Sequence, residues 1–497
     1  MDLLAQAPAL PIILPLLVAP LTALTPGPRI AHSIASLTAV VVFAACAILL
    51  LQVAIHGPIA YHMGDWAPPI GIEYRIDFAN ALVLTLVSGV GALVIPFSLE
   101  SILKDIDPRQ APKFYAAMLI CLVGSLGVVI TGDAFNVFVF LEIMSLSTYT
   151  LVALGGGRDR RALTAAFNYL VMGTIGATFF VIGLGLLYQA TGTLNMADVK
   201  AQIAANGANR MVEAGFAFIL VGMGLKAAMF PLHLWMPNAY AYAPAAVTAF
   251  LGATSTKVAV YVIIRFIYSV IGPDFAFVGA SLSFLLAPLA IAGMFAASIV
   301  AVFQSDVKRM LAYSSVAQIG YMLLGLSFAS AAGLSASLTH LFNHGLMKGA
   351  LFMAIAAVVW RTGSQRCDGF DGLFKRMPFT ATCFLIGGLS LIGVPATAGF
   401  VSKWQLLEAA FESGQAWAAF LVVASSFIAV VYVGRIIERM IMREPPEGAP
   451  RGEAPLTMLA PLALLTAANI YFGLDADLTV DVAREAAAAL VGAGGAR

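Results

Sequence analysis

Residues 78–99 of this chain read FANALVLTLVSGVGALVIPFSL, without a single charge. Wound as a helix at about 1.5 Å per residue, such a run crosses the roughly 30 Å hydrocarbon core of a bilayer. Comparable runs recur to the end of the chain, and the recurrence decides the fold class. In hydrocarbon every backbone N–H and C=O must find its partner within the protein, which leaves helices or closed barrels. A barrel needs short strands of alternating polarity, and these runs are long and continuous. The sequence predicts an all-α polytopic membrane protein of about fourteen spans, near residues 8–25, 30–55, 76–102, 112–131, 133–155, 162–189, 213–241 and 244–271, then 275–303, 309–330, 334–360, 379–412, 414–440 and 455–474. The first run lacks a basic leading region and an A-x-A-like site, so it reads as a span and not as a cleaved signal.

Lys and Arg placement orients the chain. Loops after odd-numbered spans hold Arg29; Lys104, Arg109, Lys113; Arg158, Arg160, Arg161; Lys308, Arg309; Arg361, Arg366, Lys375, Arg376; and Arg435, Arg439, Arg443, Arg451. Loops after even-numbered spans hold few, Arg75, Lys200, Arg210 and Arg265, with Arg484 and Arg497 in the tail. The odd loops are therefore expected on the cytoplasmic side and both termini outside. A net charge of +1 offers no basic face for nucleic acid. The four cysteines, Cys46, Cys121, Cys367 and Cys383, stand apart without metal-ligand spacing, and GATSTK at 252–257 lacks the Gly-Lys-Ser/Thr ending of a phosphate loop. The expectation is no cofactor, no metal and no bound nucleotide.

Against 61% hydrophobic and 11% charged residues, Glu142, Lys226, Lys257, Lys348 and Lys403 stand out because they fall deep inside apolar runs. At about 2.5–3.5 kcal/mol each on insertion scales, intramembrane charges are expensive, and their default reading is a polar pathway for protons or cations. Two of the lysines accompany helix breaks. Pro231 and Pro237 follow Lys226, and Gly393-Val394-Pro395 precedes Lys403; each proline removes a backbone donor. Discontinuous helices in two related halves are a device of transporters. Ser255–Val262 (STKVAVYV) and Ser426–Val433 (SFIAVVYV) hint at such a repeat.

Each group has a plainer alternative. Glu142, with Ser145 and Tyr149 at helical spacing, reads as a proton carrier or as a neutral carboxyl bonded to those hydroxyls. Lys226 is its natural partner, whether in a switchable pair or a static salt bridge. Lys257 is a next relay, or a lysine bonded to hydroxyls of neighbouring helices. His340, His344 and Lys348 recur every fourth residue, which places three titratable groups on one helix face. A histidine pair at that spacing also suits zinc, but no third ligand accompanies it. Lys403 is the expected end of the line or a lysine snorkelling to an interface. Glu408 and His233 are left as a rim group and a group within the first break.

The order of FVFLEIMSLS, Lys226 before FPLHLWMP, TSTKVAVY, H-x3-H-x3-K and GFVSKW resembles the antiporter-like subunits. These comprise the D-type subunits of Mrp-type Na+/H+ antiporters, the L-, M- and N-type subunits of respiratory complex I, and subunits of membrane-bound hydrogenases. Through GDAFNVFVFLEI and a lysine, not a glutamate, at 403, the likeness is nearest to the Mrp D-type group. The resemblance implies three leading helices (residues 1–111), two inverted five-helix repeats (112–271 and 272–440) with discontinuous helices 7 and 12, and a cytoplasmic linker, fourteenth helix and short tail (441–497). It implies a gating pair in Glu142 and Lys226, conduction through Lys257, His340, His344 and Lys348, and proton exchange with one side at Lys403. It further implies partner antiporter subunits in a hetero-oligomer of a bacterial inner membrane that exchanges protons for Na+, with this chain a part of a transporter and not an enzyme. Two alternatives remain: a redox-driven proton-pumping subunit of complex I or a hydrogenase, and a membrane scaffold whose polar axis only holds helices together.

Overall fold

The computed structural model describes residues 6–492, and they are nearly all helical. The first six helices are α1 (Leu10–Ala23), α2 (Pro28–His56), α3 (Phe78–Asp105), α4 (Ala111–Ile130), α5 (Ala134–Ala153) and α6 (Arg161–Thr191). Short α7 (Met196–Asn206) precedes α8 (Arg210–Lys226), α9 (Met236–Tyr242), α10 (Ala245–Arg265), α11 (Ala276–Ala280), α12 (Ala287–Val302) and α13 (Val307–Ser327). The rest are α14 (Ala331–Thr362), α15 (Leu373–Arg376), α16 (Pro378–Ile392), α17 (Ala398–Glu412), α18 (Ala416–Met442), α19 (Leu456–Leu474) and α20 (Asp477–Val491). A two-stranded antiparallel hairpin, β1 (Ile59–His62) and β2 (Glu73–Ile76), joins α2 to α3. Among the described residues, 11 helical segments are long and apolar enough to cross a membrane. The other three expected spans fall on shorter pieces: α1 with Pro15 and Pro20 inside it, the α8/α9 pair, and the α16/α17 pair. The short tail forms α20, which packs on α3 and α14.

The polarity of the bundle is that of a membrane protein. Leu37, Phe167, Phe420 and Phe427 point outward, whereas Lys257 and Lys348 are completely buried. The apolar cores of α10 and α14 are wholly enclosed, and α14 packs against α3, α10, α13, α16, α17 and α19. Close approaches of helices fall at glycine. A Cβ on Gly124 would lie 2.4 Å from the Met144 backbone, and one on Gly183 would lie 2.6 Å from the Gly215 carbonyl. This is the small-residue packing by which helices associate without a hydrophobic force between them.

Both predicted breaks are present. Lys226 ends α8, Ala228 takes the left-handed conformation at φ +57°, and the Leu225 carbonyl accepts from Ala228 N at 3.1 Å and from Trp235 Nε1 at 3.0 Å. After α16, Gly393 lies at φ +96° and Ala396 at +66° before α17 begins. Left-handed alanines are costly and persist only where their surroundings hold them.

A second pattern occurs twice. Asp133 caps α5 through Asn136 N at 2.7 Å, and the residues beside it pair with the chain after α6 (Ala134 N to Leu194 O, 2.8 Å; Met196 N to Gly132 O, 2.9 Å). Asp306 caps α13 through Arg309 N at 2.9 Å, and its neighbours pair with the chain after α14 (Val307 N to Gln365 O and Cys367 N to Ser305 O, each 2.9 Å). One instance follows an even-numbered span and the other an odd-numbered span.

Candidate functional site: a buried line of ionisable side chains

Glu142 lies mid-way along α5, and Lys226 is brought to it by the end of α8. Lys226 Nζ is 3.5 Å from Glu142 Oε1 and donates to Ser145 Oγ at 2.6 Å. A cation at a helix C-terminus also faces the negative end of the helix dipole. Ser145 thus serves the lysine and not the carboxylate, and Tyr149 OH has no partner among the described residues. The Glu142 side chain is 28% exposed, so the pair borders the protein surface.

Lys257 folds back along α10 and donates to the Gly252 carbonyl at 2.5 Å; the neighbouring Thr254 hydroxyl is spent on Phe250 O. Hydroxyls of other helices, the plainer sequence alternative for Lys257, do not hold it. Among the described residues, no direct hydrogen bond or ion pair links the Glu142–Lys226 pair to Lys257.

The spacing of His340, His344 and Lys348 works out as one face of α14. The two imidazoles are parallel, 3° apart in plane, with centroids at 6.0 Å. His340 bonds Ser402 Oγ of α17 at 2.8 Å and Gln318 Oε1 of α13 at 2.9 Å, whereas both ring nitrogens of His344 lack a partner among the described residues. Lys348 Nζ donates to Leu311 O at 2.7 Å and to Ser314 Oγ. Lys257, Lys348 and Lys403 all act electrostatically on His344, so the fold gathers around one imidazole three lysines that sequence spaces over 147 residues.

Lys403 closes the second break. Its ammonium donates to Leu391 O (3.1 Å) and Ile392 O (2.8 Å), the orphan carbonyls ending α16, and to Ser426 Oγ of α18 (3.0 Å). It also sits 4.9 Å from the Tyr321 ring centroid. Beside it, a crevice of about 240 Å³ lined by Gly393, Phe400, Trp404 and Phe427 opens outward. Glu408 lies on the exposed side, accepting from Trp404 Nε1 at 2.7 Å. His233, inside the first break, stacks on Phe230, and its Nδ1 has no partner among the described residues.

Several basic residues assigned to loops lie on helices, and two of the buried ones border the bundle's polar interior. Arg265 is the buried last residue of α10, paired with Asp77 at 2.5 Å and bonded to Tyr261 OH at 2.6 Å. Lys308 is buried in the first turn of α13, donating to Ala243 O at 2.8 Å. A positive-inside count cannot find them, because the partners lie far away in sequence and only folding unites them. Gln318 and Ser402 escaped notice for the same reason: uncharged residues in an apolar run carry no signal until a histidine is placed beside them.

A multi-pass membrane bundle with helix breaks and an interior line of lysines and histidines defines the class. The chain belongs to the family described as NADH:quinone oxidoreductase/Mrp antiporter, TM, which matches residues 131–429. It is 40% identical over 458 residues to the N-type subunit of the NADH-quinone oxidoreductase of Desulforudis audaxviator, covering 88% of this chain and 89% of that one. It is 32% identical over 446 residues to the D-type subunit of the Na+/H+ antiporter of Bacillus subtilis, covering 89% and 88%. Among solved structures, it resembles a chain of the Mrp complex from Dietzia sp. DQ12-45-1b with TM-score 0.89 at 29% identity, over 99% of this chain and 98% of that one. A chain of the archaeal membrane-bound sulfane sulfur reductase matches with TM-score 0.88 at 33% identity, over the same shares.

Proposed function

We propose that this chain is the proton-translocating subunit of a multisubunit Na+/H+ antiporter. Protons pass along Glu142, Lys226, Lys257, His344, Lys348, His340 and Lys403. The observation that carries this reading is the continuity of buried, sparsely paired groups from Lys257 to Lys403. A scaffold would spend such groups in closed pairs, because an unpaired buried charge costs more than the apolar residue that replaces it. Here three lysines hold only carbonyls, hydroxyls or their own helix, and His344 holds nothing among the described residues. The weak bonding lets each group gain or lose a proton without dismantling the fold.

The reading includes fourteen crossings with both termini outside, and two inverted repeats with boundaries at residues 112–271 and 272–440. Supporting the repeats are the two helix breaks, after α8 and after α16, and the duplicated pairing around Asp133 and Asp306. Partner subunits in a bacterial inner membrane complete the exchanger. Oxygen ligands for sodium are scarce along the line, so Na+ crosses at an interface with another chain. A second reading, a redox-driven proton pump, is favoured by the 40% identity to an N-type oxidoreductase subunit.

The driver separates the two. In everted vesicles holding the whole complex, a sodium pulse is expected to move protons with no reductant present. Vesicles that ignore sodium but acidify on adding NADH or another reductant would establish the pump instead.

A further inference from the structure

We infer that Lys308 is the group through which this line exchanges protons with the aqueous phase on the odd-loop side; the inference rests on the proton-translocation reading above. A polar vestibule of about 450 Å³ opens at that end of the bundle, between the loops before α6 and α13 and the C-terminal end of α9. Asp105, Asp306 and Arg158 share the vestibule wall with Lys308 and act on it electrostatically. Asp159, Arg161, Arg309 and Arg366 line the same vestibule.

The two acids near the floor are committed. Asp105 accepts from Arg158 Nη1 at 2.8 Å through one oxygen and from Ala245 N at 3.0 Å through the other. Asp306 accepts from Arg309 N at 2.9 Å and from Gln365 Nε2 at 2.6 Å. The arginines hold their protons at any physiological pH. Lys308 is different. Only 3% of its surface is exposed, and its three-donor ammonium makes one hydrogen bond, to Ala243 O. It is the loosely held, titratable group at the inner end of an open polar cavity.

Inward from Lys308, α13 supplies a polar stripe. Leu311 O and Ser314 Oγ hold Lys348, Gln318 holds His340, and the Tyr321 ring faces Lys403. These positions recur every third or fourth residue from 308, the spacing of one helix side. From residue 308 to residue 314 the helix rises about 9 Å. One helix thus touches the vestibule, the histidine ladder and the second break in turn. In the step proposed, the neutral amine of Lys308 takes a proton from vestibule water, and its ammonium then delivers that proton inward toward the Lys348 amine; nothing is oxidised or reduced.

The competing role for Lys308 is purely mechanical, a clamp on the carbonyl that ends the second half of the broken helix. Arginine separates the two, because it keeps the charge and the bond to Ala243 O but does not release a proton. Lys308→Arg and Lys308→Ala, in the intact complex in everted vesicles, are both expected to cut proton movement at least tenfold. A near-normal rate in Lys308→Arg overturns the proposal. As a second measurement, Lys308→Cys is modified with aminoethyl methanethiosulfonate or with its trimethylammonium analogue, with labelling verified by mass. Recovery with the primary amine alone supports proton exchange at this position; recovery with both reagents, or with neither, overturns it. If Lys226→Ala in the same vesicles leaves transport intact, the translocation reading itself fails, whatever Lys308 does. If Lys226→Ala abolishes transport while Lys308→Arg preserves it, only the inlet is lost.

Discussion

Proton movement is expected to fall at least tenfold in a Lys348→Met variant, while the complex assembles and melts as the unaltered one does. The two halves of this expectation come from the same geometry. Lys348 is completely buried on α14, and among the described residues its ammonium hydrogen-bonds to Leu311 O and Ser314 Oγ. Ser314 already donates to Leu311 O at 2.9 Å, so the partners stay satisfied when the lysine is gone. Replacing a buried charge by an apolar side chain of similar length is often neutral or stabilising. A variant as stable as the parent but inactive marks a residue kept for transport; one that unfolds marks a packing residue, which a thermal melt beside the flux assay distinguishes.

Gly399→Ala is expected to have the largest effect on folding. A Cβ at 399 would lie 1.8 Å from the Ser390 carbonyl oxygen and 2.8 Å from its carbon, atoms of the backbone that cannot rotate away. Gly399 N donates to Ser390 Oγ at 3.1 Å, and Asn343 Nδ2 donates to the adjacent Ala398 O at 2.7 Å. The start of α17 is therefore fixed against α16 and α14 together. Overpacking of this kind costs about 1–3 kcal/mol or more, and here it also displaces the carbonyls that hold Lys403. A lower melting temperature and reduced yield of assembled complex are expected. Gly185→Ala, whose added Cβ meets nothing within 4 Å, should leave both unchanged and serves as the control.

Much of this was legible in the sequence because hydrocarbon makes charge conspicuous. Glu142, Lys226, Lys257, Lys348 and Lys403 stand out in apolar runs, and Pro231 and Gly393 mark the two breaks. The spacing of His340 and His344 is a property of one helix and needs no tertiary knowledge. Pairing across helices was less visible. Ser145 is one turn from Glu142 in sequence, yet its oxygen serves Lys226. Arg265 and Lys308 sit at helix ends, where a basic residue reads as a loop residue; only the arrival of Asp77 beside one and the end of α9 beside the other buries them. α20 escaped notice for another reason: its 15 alanine-rich residues favour a helix but are too short and too weakly apolar to register as a span, and its buried face packs on α3 and α14.

The most direct test of the proton line is sodium-induced proton movement in everted vesicles containing the intact complex, compared with Glu142→Gln and Lys226→Ala complexes verified to assemble. Both variants are expected to lose that movement, since each removes one member of the pair at 3.5 Å with which the proposed relay begins. A normal sodium response in either fully assembled variant would contradict the account.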